Sequence, residues 1–92
     1  MDYVDSLKTL IVVVELLQQN GQNILHVSAS KYSESKMYVH IKKPVDGAMF
    51  SGRDAKVVRK SINLEYIVNM DDVDVCWLEP IKDEVEVRTV TL

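Results

Sequence analysis

The sequence predicts an α+β fold in a single domain spanning residues 1–92, with one N-terminal helix packed on an antiparallel sheet of about five strands. Three observations support this prediction. The first twenty residues carry apolar side chains at helical spacing, most of the remainder alternates apolar and polar residues, and turn-forming residues separate the alternating segments. A chain of 92 residues has room for one hydrophobic core.

Residues 2–20 are predicted to form the helix. Its apolar stripe repeats at spacings of three and four residues and consists of Tyr3, Leu7, Leu10, Val14 and Leu17. The pair Asn20-Gly21 is typical of a helix end. The β-branched run at 11–13 makes a strand over 9–14 the alternative, but the stripe and the glycine favour a helix. Because the helix is more apolar than one face requires, we expect burial on two sides.

Residues 24–30 and 36–42 are predicted to form a hairpin whose turn is centred on Ser33. One register matches the apolar residues of one face, pairing Leu25 with Ile41, Val27 with Val39 and Ala29 with Met37. The same register pairs the polar residues of the other face, namely His26 with His40, Ser28 with Tyr38 and Ser30 with Lys36. A shift by one residue would disrupt both faces, so the pattern specifies the register.

The segment that follows is less regular. Residues 44–52 are predicted to form a loop with Met49 and Phe50 turned inward, because proline and two glycine-containing turns interrupt the alternation. Residues 53–60 fit either two turns of a short basic helix, which we favour, or a lead-in strand.

The last third predicts three more strands. Residues 62–69 and 73–78 alternate and form a second hairpin around the turn at 70–72, and Pro80 ends it. This alternation places Cys76 on the face opposite Val75 and Trp77. Residues 84–92 are predicted to form a final strand at a sheet edge, where glutamate and arginine discourage unwanted pairing.

Charge is segregated along the chain. Residues 31–60 contain eight lysines and arginines against three carboxylates, a formal charge of +5, whereas residues 65–86 contain eight carboxylates against one lysine, a formal charge of −7. Regions of opposite charge on one small protein favour docking on a charged partner in a defined orientation.

The leading hypothesis is therefore a non-enzymatic binding protein whose acidic surface occupies a basic nucleic-acid site on another protein, because carboxylates on a rigid sheet can imitate phosphates. The candidate partner-binding residues are Asp71, Asp72, Asp74, Glu79, Asp83 and Glu84. A calcium loop is not expected here, since the required glycine and terminal glutamate are missing. Solubility and protection of the sheet edge are the simpler explanation of the same charges.

Two alternatives belong to other functional classes. A small nucleic-acid-binding module would use the basic hairpin face and the 53–60 segment, with the candidates Lys36, Tyr38, Lys42, Arg53, Arg59 and Lys60. A structural homo-oligomer, such as a homodimer, would assemble through the apolar N-terminal helix or the C-terminal edge strand.

No catalytic residue, cofactor or metal is expected. His26 and His40 face each other across the first hairpin, but a metal site requires three or four ligands and their neighbours are poor donors. Cys76 is interpreted as a structural thiol because both histidines belong to a different hairpin from the cysteine. Recognisable phosphate-binding, zinc-hydrolase and nucleophile motifs are absent from the sequence.

The chain is expected to be cytoplasmic and to make no membrane contact. Its single cysteine, which cannot form an intrachain disulfide, is typical of a reducing compartment. The longest apolar run, 10–14, is too short to span a bilayer. The N-terminal segment lacks the basic region and cleavage site of a secretion signal.

The segment 24–41, with the sequence ILHVSASKYSESKMYVHI, follows a short N-terminal helix. It resembles the strand-turn-strand opening of small accessory proteins of bacteriophages and prophages of Gram-positive hosts. Some of these proteins are anti-CRISPR or other anti-defence inhibitors. The resemblance implies an inhibitor that acts in the host cytoplasm, and it assigns no functional residue.

Overall fold

The computed structural model of the protein describes residues 3–29, 37–81 and 88–92. Within them, one helix and six strands follow each other along the chain: α1 (Tyr3–Gln19), β1 (Ile24–Ala29), β2 (Met37–Ile41), β3 (Asp54–Lys60), β4 (Asn63–Met70), β5 (Val73–Pro80) and β6 (Arg88–Thr91). A 3₁₀ turn, Ala48–Phe50, lies between β2 and β3. The predicted α+β fold, with an N-terminal helix on a mostly antiparallel sheet, is confirmed.

The strands form one sheet in the order β1-β2-β5-β4-β3-β6. Four of the neighbouring pairs are antiparallel, and β2 with β5 is parallel. The expectation of a wholly antiparallel sheet is wrong at this pair. After β2 the chain buries Phe50 against Trp77 at a ring-centroid distance of 5.1 Å. It then passes the positions of β5 and β4 before β3 begins. The β3-β4-β5 meander then returns β5 alongside β2 in the same direction.

Helix α1 covers β1, β2 and β5 through one apolar face. Leu10, Val13 and Leu17 are buried in the hydrophobic core that the helix shares with the sheet. The helix ends as predicted, because Gly21 adopts φ +75° and the N–H of Gln22 donates to the carbonyl of Leu17 at 3.0 Å. Within the described ranges, no helix is long and apolar enough to cross a membrane.

The predicted first hairpin is formed, and four of its described pairs match the predicted register. The exception is Leu25, which was expected opposite Ile41. A bulge between Ile24 and His26 places Ile24 there instead and leaves Leu25 exposed. The physical reason is that β1 is an edge strand, where one extra residue disrupts a single ladder. The predicted pair of Ser30 and Lys36 lies outside the described residues.

The short helix favoured for 53–60 is wrong, since residues 54–60 form strand β3. Ala55 and Val57 are buried and alternate with the exposed Asp54 and Lys56, which is the period of a strand. Pairing with β4 on one side and β6 on the other satisfies both edges of this segment. The two hydrogen-bonded partners outweigh the modest helical preference of lysine and arginine.

The second hairpin follows the sequence closely. The turn was predicted at 70–72, but Met70 belongs to β4 and pairs with Val73, so the turn consists of Asp71 and Asp72 alone. The described part of the predicted last strand is β6, which lies at the sheet edge beside β3. The remainder of that prediction, 84–87, falls outside the described residues.

Candidate functional site

The sheet face turned away from α1 carries a depression of about 280 Å³. The depression is lined by the apolar Ile67 and by six other residues: Tyr38, His40, Lys60, Glu65, Asp74 and Cys76. These side chains come from four adjacent strands, β2, β5, β4 and β3. A surface assembled on the central strands is held by the backbone ladder, so its side chains start from well-defined positions.

Three potential ligands meet in this depression. His40 on β2 is the register partner of Cys76 on β5, and Cys76 is in turn opposite Ile67 on β4. Glu65, two residues before Ile67, projects to the same face because strand side chains alternate. One nitrogen of His40, one carboxylate oxygen of Glu65 and the sulfur of Cys76 all lie within 4.8 Å of one another.

Two of these three residues are buried. Glu65 is 6% exposed and Cys76 is 4% exposed, while the His40 side chain is half-buried at 32%. Glu65 Oε2 lies 3.8 Å from His40 Nε2, and Glu65 Oε1 lies 3.6 Å from Lys60 Nζ. Both distances exceed the 2.7–2.9 Å typical of a charge-assisted hydrogen bond, so neither nitrogen forms a close hydrogen bond with the carboxylate.

The thiol of Cys76 is held in its protonated form. Burial raises the pKa of this thiol to about 12, and the negative charges of Glu65 and Asp74 act in the same direction against the weaker effect of Lys60. Its Sγ donates to the backbone carbonyl of Val39 at 3.6 Å. A nucleophilic cysteine requires a lowered pKa, so this environment suits a structural thiol better than a nucleophile.

The two histidines of the first hairpin are register partners, as predicted. The described ring contacts, however, run through Tyr38, whose ring centroid lies 5.9 Å from that of His26 and 5.3 Å from that of His40. Tyr38 therefore connects the exposed edge strand β1 to the depression.

The acidic candidates are distributed over both faces and both ends of β5. Asp71 and Asp72 are exposed at the β4-β5 turn, and Asp74 lies on the depression side, where it accepts a hydrogen bond from Asn69 Nδ2 at 3.0 Å. Glu79 alternates with the depression residues and projects to the α1 side at the other end of the strand. The structure thus brings three of these residues together and separates the fourth.

Glu79 also has partners of its own. Its Oε1 lies 3.2 Å from Lys43 Nζ, and its interaction with Tyr66 contributes to a raised pKa of the tyrosine hydroxyl, for which burial is the largest cause. These contacts partly neutralise the carboxylate. Two further acidic candidates, Asp83 and Glu84, lie outside the described residues.

The basic candidates do not form one patch either. Tyr38 and Lys60 line the same depression, but they share it with Glu65 and Asp74. The other described members are placed elsewhere: Lys42 follows β2, Arg53 precedes β3, and Arg59 projects to the α1 side near the end of β3. Lys36 lies outside the described residues.

Helix α1 exposes apolar side chains on the face opposite the core. Val4, Ile11 and Val12 are each more than half exposed, and Leu16 is 38% exposed. The helix was expected to be buried on two sides. Within the described residues it is buried on one side only.

The sequence interpretation missed the cluster of His40, Glu65 and Cys76, because it assigned the histidines and the cysteine to different hairpins and took this as separation. The hairpins are indeed different, but the parallel pairing of β2 with β5 joins them and brings His40 beside Cys76. The available signal was the alternation itself, which assigns all three residues to the polar faces of their strands. Comparison with protein-family models, with curated proteins and with solved structures finds no match to this chain.

Proposed function

We propose that the protein is a non-enzymatic binding domain that docks on a basic site of another protein through the tip of its β4-β5 hairpin. Asp71 and Asp72 make the tip, and Asp74 extends the negative charge onto the adjacent sheet face. The resemblance of residues 24–41 to phage accessory proteins favours an inhibitor of a nucleic-acid-handling or defence protein. Docking of the acidic tip would then exclude nucleic acid from the basic site.

The observation that carries this proposal is the conformation of the turn. Asp71 and Asp72 both have positive φ, 51° and 67°, as a two-residue turn of this kind requires. Asparagine followed by glycine fits such a turn better, and two adjacent carboxylates also repel each other. Stability alone therefore disfavours this pair of residues, and a binding role gives a reason for it.

The tip is also electrostatically available. The ion pairs among the described residues involve Glu65 and Glu79, and neither Asp71 nor Asp72 takes part in them. Exposed charges of this kind accelerate association with an oppositely charged partner.

Affinity capture from the native host tests the proposal with two variants. Asp71→Lys combined with Asp72→Lys should abolish capture of the partner, whereas Glu15→Lys combined with Asp54→Lys makes the same change in net charge elsewhere and should preserve it. Nucleic acid added to the captured complex should compete for the partner. Capture that survives reversal of the turn charges contradicts the proposal.

A third variant separates charge from folding. Asp71→Asn combined with Asp72→Gly removes the charge while providing the preferred turn residues, so the free energy of unfolding should rise and partner capture should fall. A gel shift with the purified protein alone tests the nucleic-acid-binding alternative. Retarded nucleic acid, with binding that weakens steeply as salt is raised, would favour that alternative.

A second candidate function, self-assembly through α1, is favoured by the exposed Val4, Ile11, Val12 and Leu16. Burial of this face against a second copy would remove apolar surface from water. Light scattering should then give a dimer mass for the wild type and a monomer mass for Ile11→Glu. The control Val45→Glu, at an exposed apolar residue in the loop before β3, should remain a dimer. A monomeric wild type at the highest soluble concentration contradicts this candidate.

A further inference from the structure

We propose that His40, Glu65 and Cys76 form a zinc site on the open face of the sheet, with a fourth coordination position accessible to water. This site is independent of the acidic hairpin tip. It uses one nitrogen, one oxygen and one sulfur ligand, all of which Zn²⁺ accepts in proteins.

The ligand positions lie close to what zinc requires. Zinc bonds of about 2.0–2.3 Å in a tetrahedron separate the ligand atoms by about 3.3–3.6 Å. The three atoms lie within 4.8 Å of one another, and Glu65 Oε2 is already 3.8 Å from His40 Nε2. Side-chain movements of about 1 Å would bring the ligand atoms to the separations that zinc requires, while strands β2, β5 and β4 keep the backbone in place.

The charges also fit a divalent cation. Glu65 is buried, and the nearest basic nitrogens among the described residues, Lys60 Nζ and His40 Nε2, lie 3.6 Å and 3.8 Å from its carboxylate oxygens. A buried carboxylate is usually closely paired or bound to a metal. When Zn²⁺ binds, Cys76 releases its thiol proton to solvent, and the thiolate and carboxylate together neutralise the two charges of the ion.

The surroundings support the ligands. Lys60 Nζ lies 3.6 Å from Glu65 Oε1, so it can hold the outer carboxylate oxygen while Oε2 points toward His40. The ring of Tyr38 makes an edge contact with the His40 imidazole, at a centroid distance of 5.3 Å. A polar partner outside the ligand set orients a metal-ligating carboxylate, and Lys60 is in position to do so for Glu65, while the contact with Tyr38 restricts the orientation of the His40 ring. The depression of about 280 Å³ beside the ligands has room for a zinc-bound water.

The ligand types select among metals. A thiolate with an imidazole disfavours Mg²⁺ and Ca²⁺, which prefer oxygen ligands. Three protein ligands with one open position are the arrangement of zinc sites that keep water or bind a small ligand, rather than of closed structural sites with four protein ligands.

The test uses the full-length, tag-free protein under reducing conditions. Zn²⁺ affinity is measured by competition with a chromophoric chelator, and Co²⁺ serves as a spectroscopic probe. We expect one Zn²⁺ per chain and, with Co²⁺, a thiolate-to-cobalt charge-transfer band together with the intense visible bands of tetrahedral cobalt. Cys76→Ser should abolish the charge-transfer band.

Three ligand variants and one matched control decide the assignment. Cys76→Ser, His40→Gln and Glu65→Gln should each weaken Zn²⁺ binding by more than about 100-fold, the upper range for loss of an outer partner alone. His26→Gln changes the other histidine, which is the register partner of His40 on β1, and should bind Zn²⁺ like the wild type. Circular dichroism of the metal-free variants checks that each is folded.

Two results would overturn the site. One is a folded wild type that fails to compete with the chelator for one equivalent of Zn²⁺ or gives a cobalt spectrum without a thiolate band. The other is binding that depends equally on His26 and His40 but is unaffected by Cys76→Ser, which would place the metal on the histidine pair instead.

Discussion

Glu65 and Cys76 lie on the adjacent strands β4 and β5 and place a carboxylate oxygen and a sulfur within 4.8 Å of each other, with both side chains buried. Burial and this proximity make ionisation of Cys76 unfavourable, because the thiolate would be a second negative charge beside the Glu65 carboxylate. The first two predictions concern this pair in the metal-free protein.

The first prediction is a loss of stability at alkaline pH that depends on Cys76. Burial raises the pKa of its thiol in the folded protein from 9.0 to about 12. Below pH 9 the thiol is protonated in both states, so it adds no pH dependence. Between pH 9 and 12 the unfolded chain loses this proton while the folded chain keeps it, and the free energy of unfolding falls by up to about 1.4 kcal/mol per pH unit.

Chemical denaturation in the presence of a chelator, at a series of pH values, measures this effect. Cys76→Ala should show a smaller decrease than the wild type over the same range, since lysines and tyrosines titrate in both proteins. Parallel stability curves for the two proteins above pH 9 would contradict the assignment.

The second prediction concerns the electrostatic origin of this pKa. Glu65→Gln removes the nearest negative charge and should lower the pKa of Cys76, whereas Lys60→Met removes a positive charge and should raise it. The control Glu79→Gln alters a carboxylate on the opposite face of the sheet and should leave it unchanged. The pH dependence of thiolate absorbance measures all four proteins. Equal pKa values in the Glu65 and Glu79 variants would show that the Glu65 charge does not contribute to the shift.

The third prediction uses two adjacent leucines of α1. Leu17 is fully buried and Leu16 is 38% exposed, so Leu17→Ala should lower the free energy of unfolding by about 2–5 kcal/mol. Leu16→Ala makes the same chemical change and should cost less than about 1 kcal/mol in the monomer. Urea denaturation measures both. Similar costs at the two positions would mean that a second copy or another partner covers Leu16.

The fourth prediction tests the segment between β2 and β3. Phe50 is buried against Trp77, which also stacks on Tyr66 at a ring-centroid distance of 5.7 Å. Phe50→Ala should therefore cost about 3–5 kcal/mol of unfolding free energy. Val45→Ala, at a fully exposed position in the same segment, should change stability by less than about 0.5 kcal/mol. A small effect of Phe50→Ala would contradict its role in closing the core.

The candidate site could be predicted only in part from the sequence. Alternation correctly assigned Cys76 to the face opposite Val75 and Trp77, and it grouped Glu65 with the polar side of its strand. It could not show that Glu65 is buried, because the burial of a polar face depends on which strands lie beside it. Of the four described acidic candidates, Asp71, Asp72 and Asp74 lie together, but Glu79 is separated from them because Asp74 and Glu79 project to opposite faces of β5.

The sequence by itself determined the features that depend on local periodicity: helix α1 with its glycine stop, most of the first hairpin register, and the existence of the second hairpin, whose turn was predicted within one residue of its position. Tertiary structure decided the strand order, the parallel pairing of β2 with β5, and the choice of strand over helix for 54–60. The physical reason is that side-chain periodicity specifies which face of an element is buried, whereas backbone hydrogen bonds between strands are nearly independent of sequence. Only the burial achieved by the whole chain selects the neighbours, and that selection places His40 beside Cys76.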